Sequence, residues 1–359
     1  MMCRDSTVSH GKNMSSKTNP NQAVRRIVES TLVPHRAFER GLARLEQCYQ
    51  YAANLETGDE PICVAIVGES RTGKSRLLKE FDERHADTRG PDGRLVPILK
   101  IRTPATASVG GFVEHALESI GDPVYYSGSN TQKTTRLRKL IKEAGTRVIL
   151  VDEFQEFNDV ASPKQTKLMT NWLKALVENT SVALFVAGLP SCLQTIDGNE
   201  QLAGRFQECL RMPRFDWMVA DDRGQFMDIL DAFAQSIGEH FRLPKLDSDE
   251  MAFRFYLATG GLMGYLVKLL RTAVWNAIAD GRGAIKLEHF SAAYCEATWR
   301  HADDDPFNAR LTCKETPELL AAARSVGVGV GPDDDQDDVA PPLRSVRGTR
   351  SISSQLRAR

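Results

Sequence analysis

The residue types best suited to chemistry in this chain lie in one short loop, Gly68 to Ser75, with the sequence GESRTGKS. The spacing of its glycines, lysine and serine fits GxxxxGK(S/T), the pattern of loops that cradle phosphates with backbone amides. The apolar run Ile62 to Val67 precedes the loop, and a helical pattern from Ser75 to Arg84 follows it. A helix that begins directly after the loop adds its positive amino end to the site. The segment therefore predicts a binding site for a nucleoside triphosphate.

The chemistry of phosphate binding gives the residues of this loop separate roles. The glycines let consecutive amides turn towards the phosphates. Lys74 is expected to bind the β- and γ-phosphates, and Ser75 is expected to ligate Mg²⁺. The predicted nucleotide contacts cover the whole loop and the residue after it: Gly68, Glu69, Ser70, Arg71, Thr72, Gly73, Lys74, Ser75 and Arg76. The alternative interpretation is a tight glycine turn that binds nothing.

A second element with chemical potential is the apolar run Val148 to Val151, which ends in two carboxylates, Asp152 and Glu153. The carboxyl end of a strand in an open parallel sheet emerges at the ligand crevice. We expect Asp152 to hold Mg²⁺ through its water shell and Glu153 to polarise the water that attacks the γ-phosphate. Taken alone, the pattern is common and also fits a plain acidic strand end. Together with the phosphate loop it predicts hydrolysis of ATP.

The elements that must position these residues alternate along the chain. Four apolar β-type runs are separated by longer segments of helical pattern: residues 62–67, 96–101, 147–151 and 181–187. This alternation is typical of a parallel sheet that is covered on both faces. After about Phe215 the β-type runs stop and only helical patterns remain. We therefore predict a nucleotide-binding α/β domain over residues 23–215 and a smaller helical lid domain over residues 216–300.

The two ends of the chain have a different composition. Residues 1–22 are rich in Ser, Thr, Asn and Lys, which predicts a disordered leader. From His301 onward the chain carries runs of aspartate and then terminal arginines, with few large apolar residues. Segregated charge of this kind predicts a largely disordered tail over residues 301–359. Such a tail serves as a spacer or folds when it binds a partner.

Composition excludes several classes of protein. The chain has 359 residues, of which 42% are apolar and 26% charged, so it is not wholly disordered, collagenous or fibrous. A net charge of −1 means that nucleic acid would have to meet a local basic face. Seven scattered cysteines without a CxxC pair disfavour a zinc site or a disulfide framework. Since no apolar stretch is long enough to span a bilayer and no signal core begins the chain, we expect a cytoplasmic protein without membrane contact.

The two motifs together resemble the AAA+ ATPases, whose nucleotide domain is a five-stranded parallel sheet followed by a helical lid. Softer segments are similar to the TniB/TnsC family of transposition regulators: Leu32 to His35, the loop GESRTGKS, Thr131 to Arg136, and Leu150 to Phe157. The resemblance covers about residues 25–300. It implies a regulator that uses ATP and Mg²⁺, oligomerises on double-stranded DNA, and brings a transposase to a target with the help of a target-selection adaptor.

The resemblance also implies site residues outside the two motifs. Arg205 lies where this superfamily places the arginine finger that reaches the ATP of a neighbouring subunit in a ring or filament. An ordinary surface arginine is the alternative, and Arg211 and Arg214 compete for the same role. Val33 and His35 fall where related ATPases hold the adenine base. A turn or helix cap explains that segment nearly as well.

Two segments depart from the superfamily pattern. Where many relatives carry a polar sensor after the fourth strand, this chain has Val186 to Pro190, and Ser191 is the first hydroxyl. The lid motif that usually ends in an arginine reads Thr259 to Leu266, and Lys268 is the first cation. These departures put lid-based sensing of the γ-phosphate in doubt. They favour slow, assembly-dependent hydrolysis, which suits a switch better than a motor.

Duplex DNA would require positive groups on one face, because phosphate contacts dominate affinity for nucleic acid. Two segments qualify, and their residues are Lys100, Arg102 and Thr103 in the first and Lys133, Thr134, Thr135 and Arg136 in the second. In the family these regions line the inside of the oligomer. The alternative for the second segment is the solvated face of an amphipathic helix.

Other functions remain open at this point. One is an AAA+ ATPase of the replication or helicase-loader type. Another is a P-loop kinase for a small molecule, which would need a lid that binds the acceptor and would not need Arg205. A third is a nucleotide-binding switch without hydrolysis, which the missing lid arginine leaves open.

Overall fold

The computed structural model describes residues 20–56, 59–91, 93–104, 108–159, 162–281, 283–298, 305–308 and 315–327. The strands in these ranges are β1 (Cys63–Val67), β2 (Thr88–Gly90), β3 (Gly93–Leu95), β4 (Ile98–Arg102), β5 (Val148–Asp152), β6 (Ala183–Gly188) and β7 (Phe206–Arg211). The helices are α1 (Pro20–Arg25), α2 (Ile27–Ser30), α3 (Arg36–Ala53), α4 (Lys74–Arg84), α5 (Val109–Ile120), α6 (Asn130–Glu143), α7 (Glu156–Asp159), α8 (Pro163–Thr180), α9 (Cys192–Asp197), α10 (Glu200–Ala203), α11 (Ala220–Gly238), α12 (Asp249–Thr259), α13 (Met263–Asp280), α14 (Leu287–Thr298) and α15 (Pro317–Arg324).

Five of these strands form one parallel sheet in the spatial order β4-β5-β6-β1-β7. The predicted β-type runs are β1, β4, β5 and β6, and the fifth strand is the more polar segment β7. Strands β2 and β3 form a separate antiparallel hairpin before β4. The sheet confirms the predicted five-stranded α/β fold, followed by helices.

Burial explains why the central strands are continuously apolar. Every residue of β1 and β6 is buried, because helices pack on both faces of the sheet. One face carries α5, α6 and α8, and the other carries α3 and α4. The edge strand β4 differs, since Lys100 and Arg102 alternate with buried residues and are exposed. In this order the carboxyl ends of β5, β6 and β1 are adjacent, so the segments that follow them meet at one edge.

Helices α11 to α14 form a second apolar core beside the sheet. Phe226, Tyr256 and Leu270 are fully buried in it. Helices α1 and α2 precede the sheet in sequence but pack on this helical region: the indole Nε1 of Trp275 donates to the carbonyl of Arg25 at 2.9 Å. The segment before the sheet is therefore tied to the lid.

Two segments of the expected disordered tail pack against the lid. The ring of Phe307 lies 5.0 Å from that of Phe255 and 5.6 Å from that of Phe290, measured between centroids. Helix α15 buries Leu319 and Ala323 against the same core. Residues 305–308 and 315–327 are thus part of the folded body. Residues 1–19 of the predicted leader and 328–359 of the predicted tail lie outside the described residues.

Candidate nucleotide site

The phosphate loop requires its glycines for steric reasons. A Cβ on Gly68 would lie 2.3 Å from the carbonyl oxygen of Met212, at the end of the neighbouring β7. Gly73 has φ +103° and is the N-cap of α4, a conformation that L side chains rarely adopt. The first amides of α4 have no partner within the helix and point out of its amino end. The loop is therefore shaped as a site for anions.

Lys74 is folded back into the concavity of this loop. Its Nζ donates to the carbonyl oxygens of Gly68 and Glu69, each at 2.7 Å. Burial lowers the pKa of Lys74, and the negative charges of Glu153 and Asp152 oppose that shift. The ammonium group thus lies within electrostatic reach of both carboxylates, although they are nearly 80 positions away in the sequence. The topology of the sheet thus brings the lysine of the phosphate loop close to the two carboxylates of the second motif.

The two carboxylates at the end of β5 are held in different ways. Asp152 accepts a hydrogen bond at Oδ1 from the amide of Glu153 at 2.9 Å. Burial raises the pKa of Asp152, and the charges of Lys100 and Lys74 oppose the rise. Glu153 has φ +56°, which is strained for a non-glycine residue, and its Oε2 accepts from Nε2 of Gln155 at 2.6 Å. The strand thus ends in a sharp turn that separates the two side chains.

The residues predicted to hold Mg²⁺ fit that ion. Ser75 is exposed in the first turn of α4, and Asp152 is partly buried at the adjacent strand end. A hydroxyl and a carboxylate are hard oxygen ligands of the kind that Mg²⁺ prefers. The raised pKa of Asp152 shows that its charge is poorly solvated, so a cation beside it would be stabilising.

A cavity of about 680 Å³ extends from the start of α4 to the lid. Gly73, Arg76, Val33, His35 and Met263 contribute to its wall. Burial lowers the pKa of His35, which favours the neutral imidazole at this end of the cavity. The volume and the mixture of apolar wall and phosphate loop suit a nucleotide. The predicted contacts Val33 and His35 therefore lie in one cavity with the phosphate loop's last glycine.

The lid meets the phosphate loop through backbone contacts. The amide of Gly264 donates to the carbonyl of Arg71 at 2.8 Å, and a Cβ on Gly264 would lie 2.7 Å from the Cβ of Arg71. The guanidinium carbon of Arg71 lies 4.7 Å from the ring centroid of Tyr265. Lys268 is nearby: burial lowers its pKa, and the charge of Arg71 adds to the effect. In place of a lid arginine, a glycine and a tyrosine contact the loop.

Arg214, one of the alternative finger residues, is occupied within its own chain. Its Nε donates to Oε1 of Glu69 at 2.9 Å, and its Nη2 donates to the other oxygen of the same carboxylate. Its Nη1 donates to three carbonyls, those of Gly260, Arg324 and Val326, at 3.1 to 3.3 Å. This arginine thus joins the phosphate loop, the lid and the segment after α15. Sequence reasoning gave no signal for this junction.

Arg205 lies at the opposite edge of the sheet from the phosphate loop of its own chain. It immediately precedes β7, and its carbonyl accepts from the amide of Cys63 at the start of β1. Its guanidinium donates to Oε1 of Glu178 and to the carbonyl of Gln201, both at 2.7 Å. Arg211, at the other end of β7, is exposed. The position of Arg205 excludes a role at its own phosphate loop, and its role towards a second copy remains a prediction.

The predicted DNA contacts do not form one uniform face. Lys133 is buried and pairs with Glu114, and the guanidinium of Arg136 pairs with Asp122, both with N–O distances of 2.5 Å. The remaining residues of the two segments have separate environments: Thr134 accepts from Nε1 of Trp172, buried Thr103 donates to the carbonyl of Asp152, Lys100 is 3.9 Å from Asp82, and Arg102 and Thr135 are exposed. Arg102 pairs in register with Asp152, so the first segment borders the nucleotide site.

Within the described residues, no group of three or more His, Cys, Asp or Glu side chains could hold a metal ion. None of the helices described is long and apolar enough to cross a membrane.

Solved structures provide the first comparison with known proteins. The chain is similar to the ORC1 protein of Aeropyrum pernix, solved in complex with DNA (18% identity, 76% of this chain and 69% of that chain, TM-score 0.55). It is also similar to Cdc6p of Pyrobaculum aerophilum (15% identity, 77% and 72%, TM-score 0.56). At these identities the likeness shows the fold alone, and it confirms the predicted AAA+ fold.

The family comparison covers more than half of the chain. The chain matches no curated protein. Residues 23–216 match the family described as Bacterial TniB protein. That range contains the phosphate loop, both carboxylates of β5 and Arg205, which are the residues from which the sequence predicted the site. The chain therefore belongs to the TniB family.

Proposed function

We propose that this protein is an ATP-dependent regulator of DNA transposition that oligomerises on double-stranded DNA and recruits or activates a transposase. The observation that carries the proposal is the convergence of Lys74, Asp152 and Glu153 at one edge of the sheet, in a chain of the TniB family. This arrangement supplies a phosphate ligand, a site for Mg²⁺ and a base for water. A target-selection adaptor completes the proposed set of partners.

Each residue of the nucleotide site has a separate role in the proposed hydrolysis. Lys74 exchanges its contacts with Gly68 and Glu69 for the β- and γ-phosphates of ATP. Glu153 accepts a proton from the attacking water, and the leaving group is ADP. Ser75 and Asp152 would hold Mg²⁺, whose contribution is to neutralise charge on the β- and γ-phosphate oxygens. Because the lid segment Thr259 to Leu266 contains no arginine, we expect hydrolysis to be slow and to require assembly.

Assembly and DNA binding rest on separate features. Arg205 lies away from its own phosphate loop, as a residue that completes the site of a second copy must. Arg102 and Lys100 are exposed at an edge strand, where their charged groups are accessible to phosphates. The similar ORC1 structure is a complex with DNA, which supports contact between this fold and a duplex. Neither feature points to a transposase as the partner. That part of the proposal is supported by membership of the TniB family.

Particle size provides the first test. Light scattering is measured with duplex DNA and a non-hydrolysable ATP analogue, with each omitted in turn. We expect large particles only when both are present, because a finger in trans and a shared duplex each require neighbouring copies. A monomer under all conditions would contradict the proposal and favour a small-molecule kinase or an isolated switch.

Substitution of the base provides the second test. Glu153→Gln is expected to reduce release of phosphate to a small residual rate while ATP binding and particle formation persist. Glu156→Gln serves as the matched control, since it removes a carboxylate from the same turn and should keep wild-type turnover. A switch without hydrolysis would be unaffected by either change. If purified transposase does not join the particles in a pull-down, the recruiting role is wrong even where hydrolysis is retained.

A further inference from the structure

A buried glutamine links the proposed base to the neighbouring strand. Gln155 is only 5% exposed. Its Nε2 donates to Oε2 of Glu153 at 2.6 Å, and its Oε1 accepts from the amide of Leu189 at 3.1 Å. Both ends of its amide are therefore used, one on the carboxylate and one on the backbone after β6. Hydrogen bonds to a charged acceptor are about twice as strong as neutral ones.

The backbone around Gln155 packs closely against its side chain. A Cβ on Gly188, the last residue of β6, would lie 2.5 Å from Oε1 of Gln155. The amide of Phe154 donates to the carbonyl of Ala187 at 2.9 Å, which fixes the turn that carries Gln155 against β6. The glutamine side chain thus occupies the space that any side chain at position 188 would take.

The same strand end also contacts the phosphate loop. The amide of Gly68 donates to the carbonyl of Gly188 at 3.3 Å. Hydrogen bonds therefore run from the first residue of the phosphate loop through the end of β6 to Gln155 and on to the carboxylate of Glu153. The backbone of Glu153 is strained, with φ +56°, and such a conformation persists only where the surrounding structure holds it.

We propose that Gln155 is a positioning residue, which orients the Glu153 carboxylate relative to the phosphate loop. The inference rests on the proposed function, because it concerns the base of that reaction. A residue of this kind acts on turnover and not on nucleotide affinity. A base displaced by about 1 Å can lose on the order of a hundredfold in rate, since proton transfer depends on geometry.

The test compares two variants with the wild type by steady-state kinetics in the presence of duplex DNA. Gln155→Leu keeps the side-chain volume and removes both hydrogen bonds. Gln155→Glu keeps an acceptor for the Leu189 amide and replaces the donor to Glu153 with a repelling carboxylate. We expect kcat to fall about 10- to 100-fold in both, with the Kd for a fluorescent ATP analogue changed less than about twofold.

A matched control separates positioning from loss of stability. Thr146→Val removes a buried hydrogen bond, from Thr146 Oγ1 to the carbonyl of Val96 at 2.8 Å, just before the opposite end of β5. Its melting temperature should fall as far as that of Gln155→Leu, while its kcat stays at the wild-type value. Equal losses of kcat in Thr146→Val and Gln155→Leu would overturn the proposal.

A double-mutant cycle shows whether Gln155 acts through the base. In the Glu153→Gln background, Gln155→Leu should lower the residual single-turnover rate less than about twofold, because the group that it positions is absent. The same fold loss in both backgrounds would refute the positioning role. Failure of the proposed function looks different: the wild type would release no phosphate, or Glu153→Gln would leave its turnover unchanged.

Discussion

Charged side chains have different electrostatic surroundings at the carboxyl edge of the sheet and on helix α6. At the sheet edge, burial lowers the pKa of Lys74 and raises that of Asp152, so both charges are poorly solvated. On α6, Lys133 and Arg136 are neutralised by carboxylates of their own chain at 2.5 Å. Poorly solvated charges that lie close together are typical of functional sites, whereas compensated pairs are typical of structural contacts.

The comparison divides the predicted DNA contacts into two groups. Lys133 and Arg136 hold α6 to neighbouring segments, and their charges are paired with carboxylates of those segments. Lys100 and Arg102 are exposed on the edge strand β4, where the ammonium of Lys100 lies 3.9 Å from an oxygen of Asp82. If the chain binds duplex DNA in the proposed way, this second pair is better placed to contact phosphates.

The largest expected effect is at the phosphate loop. Lys74→Ala should weaken binding of a fluorescent ATP analogue by about a hundredfold or more, because it removes the ammonium group from the loop and leaves the negative charges of Asp152 and Glu153 without it. Titration by fluorescence anisotropy measures the change. Lys139→Ala, an exposed cation on α6, should bind as the wild type does. Similar affinities for both variants would contradict the distinction between the two regions.

The next effect concerns the two groups of DNA candidates. Lys133→Ala should lower the free energy of unfolding by about 2 kcal/mol, because it breaks a mostly buried pair whose partner Glu114 is partly solvated. Lys100→Ala with Arg102→Ala should leave stability nearly unchanged and reduce the slope of log affinity against log salt by about 2. Denaturation and DNA titration at several salt concentrations measure the two quantities. An unchanged salt slope would exclude Lys100 and Arg102 as phosphate contacts.

A smaller effect is expected at the junction of loop, lid and tail. Arg214→Ala should destabilise the protein by about 1 to 2 kcal/mol, since it leaves three carbonyls and the Glu69 carboxylate without their donor. Arg324→Ala, which removes an exposed pair with Asp216, should cost less than about 1 kcal/mol. Chemical denaturation distinguishes the two. Equal costs would mean that Arg214 does not join these segments.

The smallest effect is a pH dependence at Asp152. Because burial raises its pKa in the folded protein above the ordinary value of 3.8, this carboxyl favours folding while protonated and disfavours it as the pH rises through the folded pKa. Asp152→Asn should therefore raise the melting temperature of the nucleotide-free protein at pH 7. The gain should shrink as the pH falls towards 3.8. A gain that is the same at both pH values would show that burial of the charge is not its cause.

Most of the candidate nucleotide site could be predicted from local sequence patterns. The phosphate loop is contiguous, and its conformation depends on glycines whose steric need is local. Asp152 and Glu153 were recognisable because they end an apolar strand, and parallel strands end at one edge. Gln155 gave no such signal: it stands two residues after Glu153, but its hydrogen bond to Leu189 depends on how β6 packs beside β5.

The sequence by itself determined the parallel sheet, the phosphate loop and the pair of carboxylates, because each follows from a short apolar or glycine pattern. Tertiary structure alone decided which charges are neutralised, since Arg214 meets a carboxylate 145 positions away and Lys133 one on a different helix. It also decided that residues 315–327 belong to the folded body, although composition predicted disorder. Composition reports the average tendency of a segment, whereas a few apolar side chains suffice to hold it against a core that other segments have built.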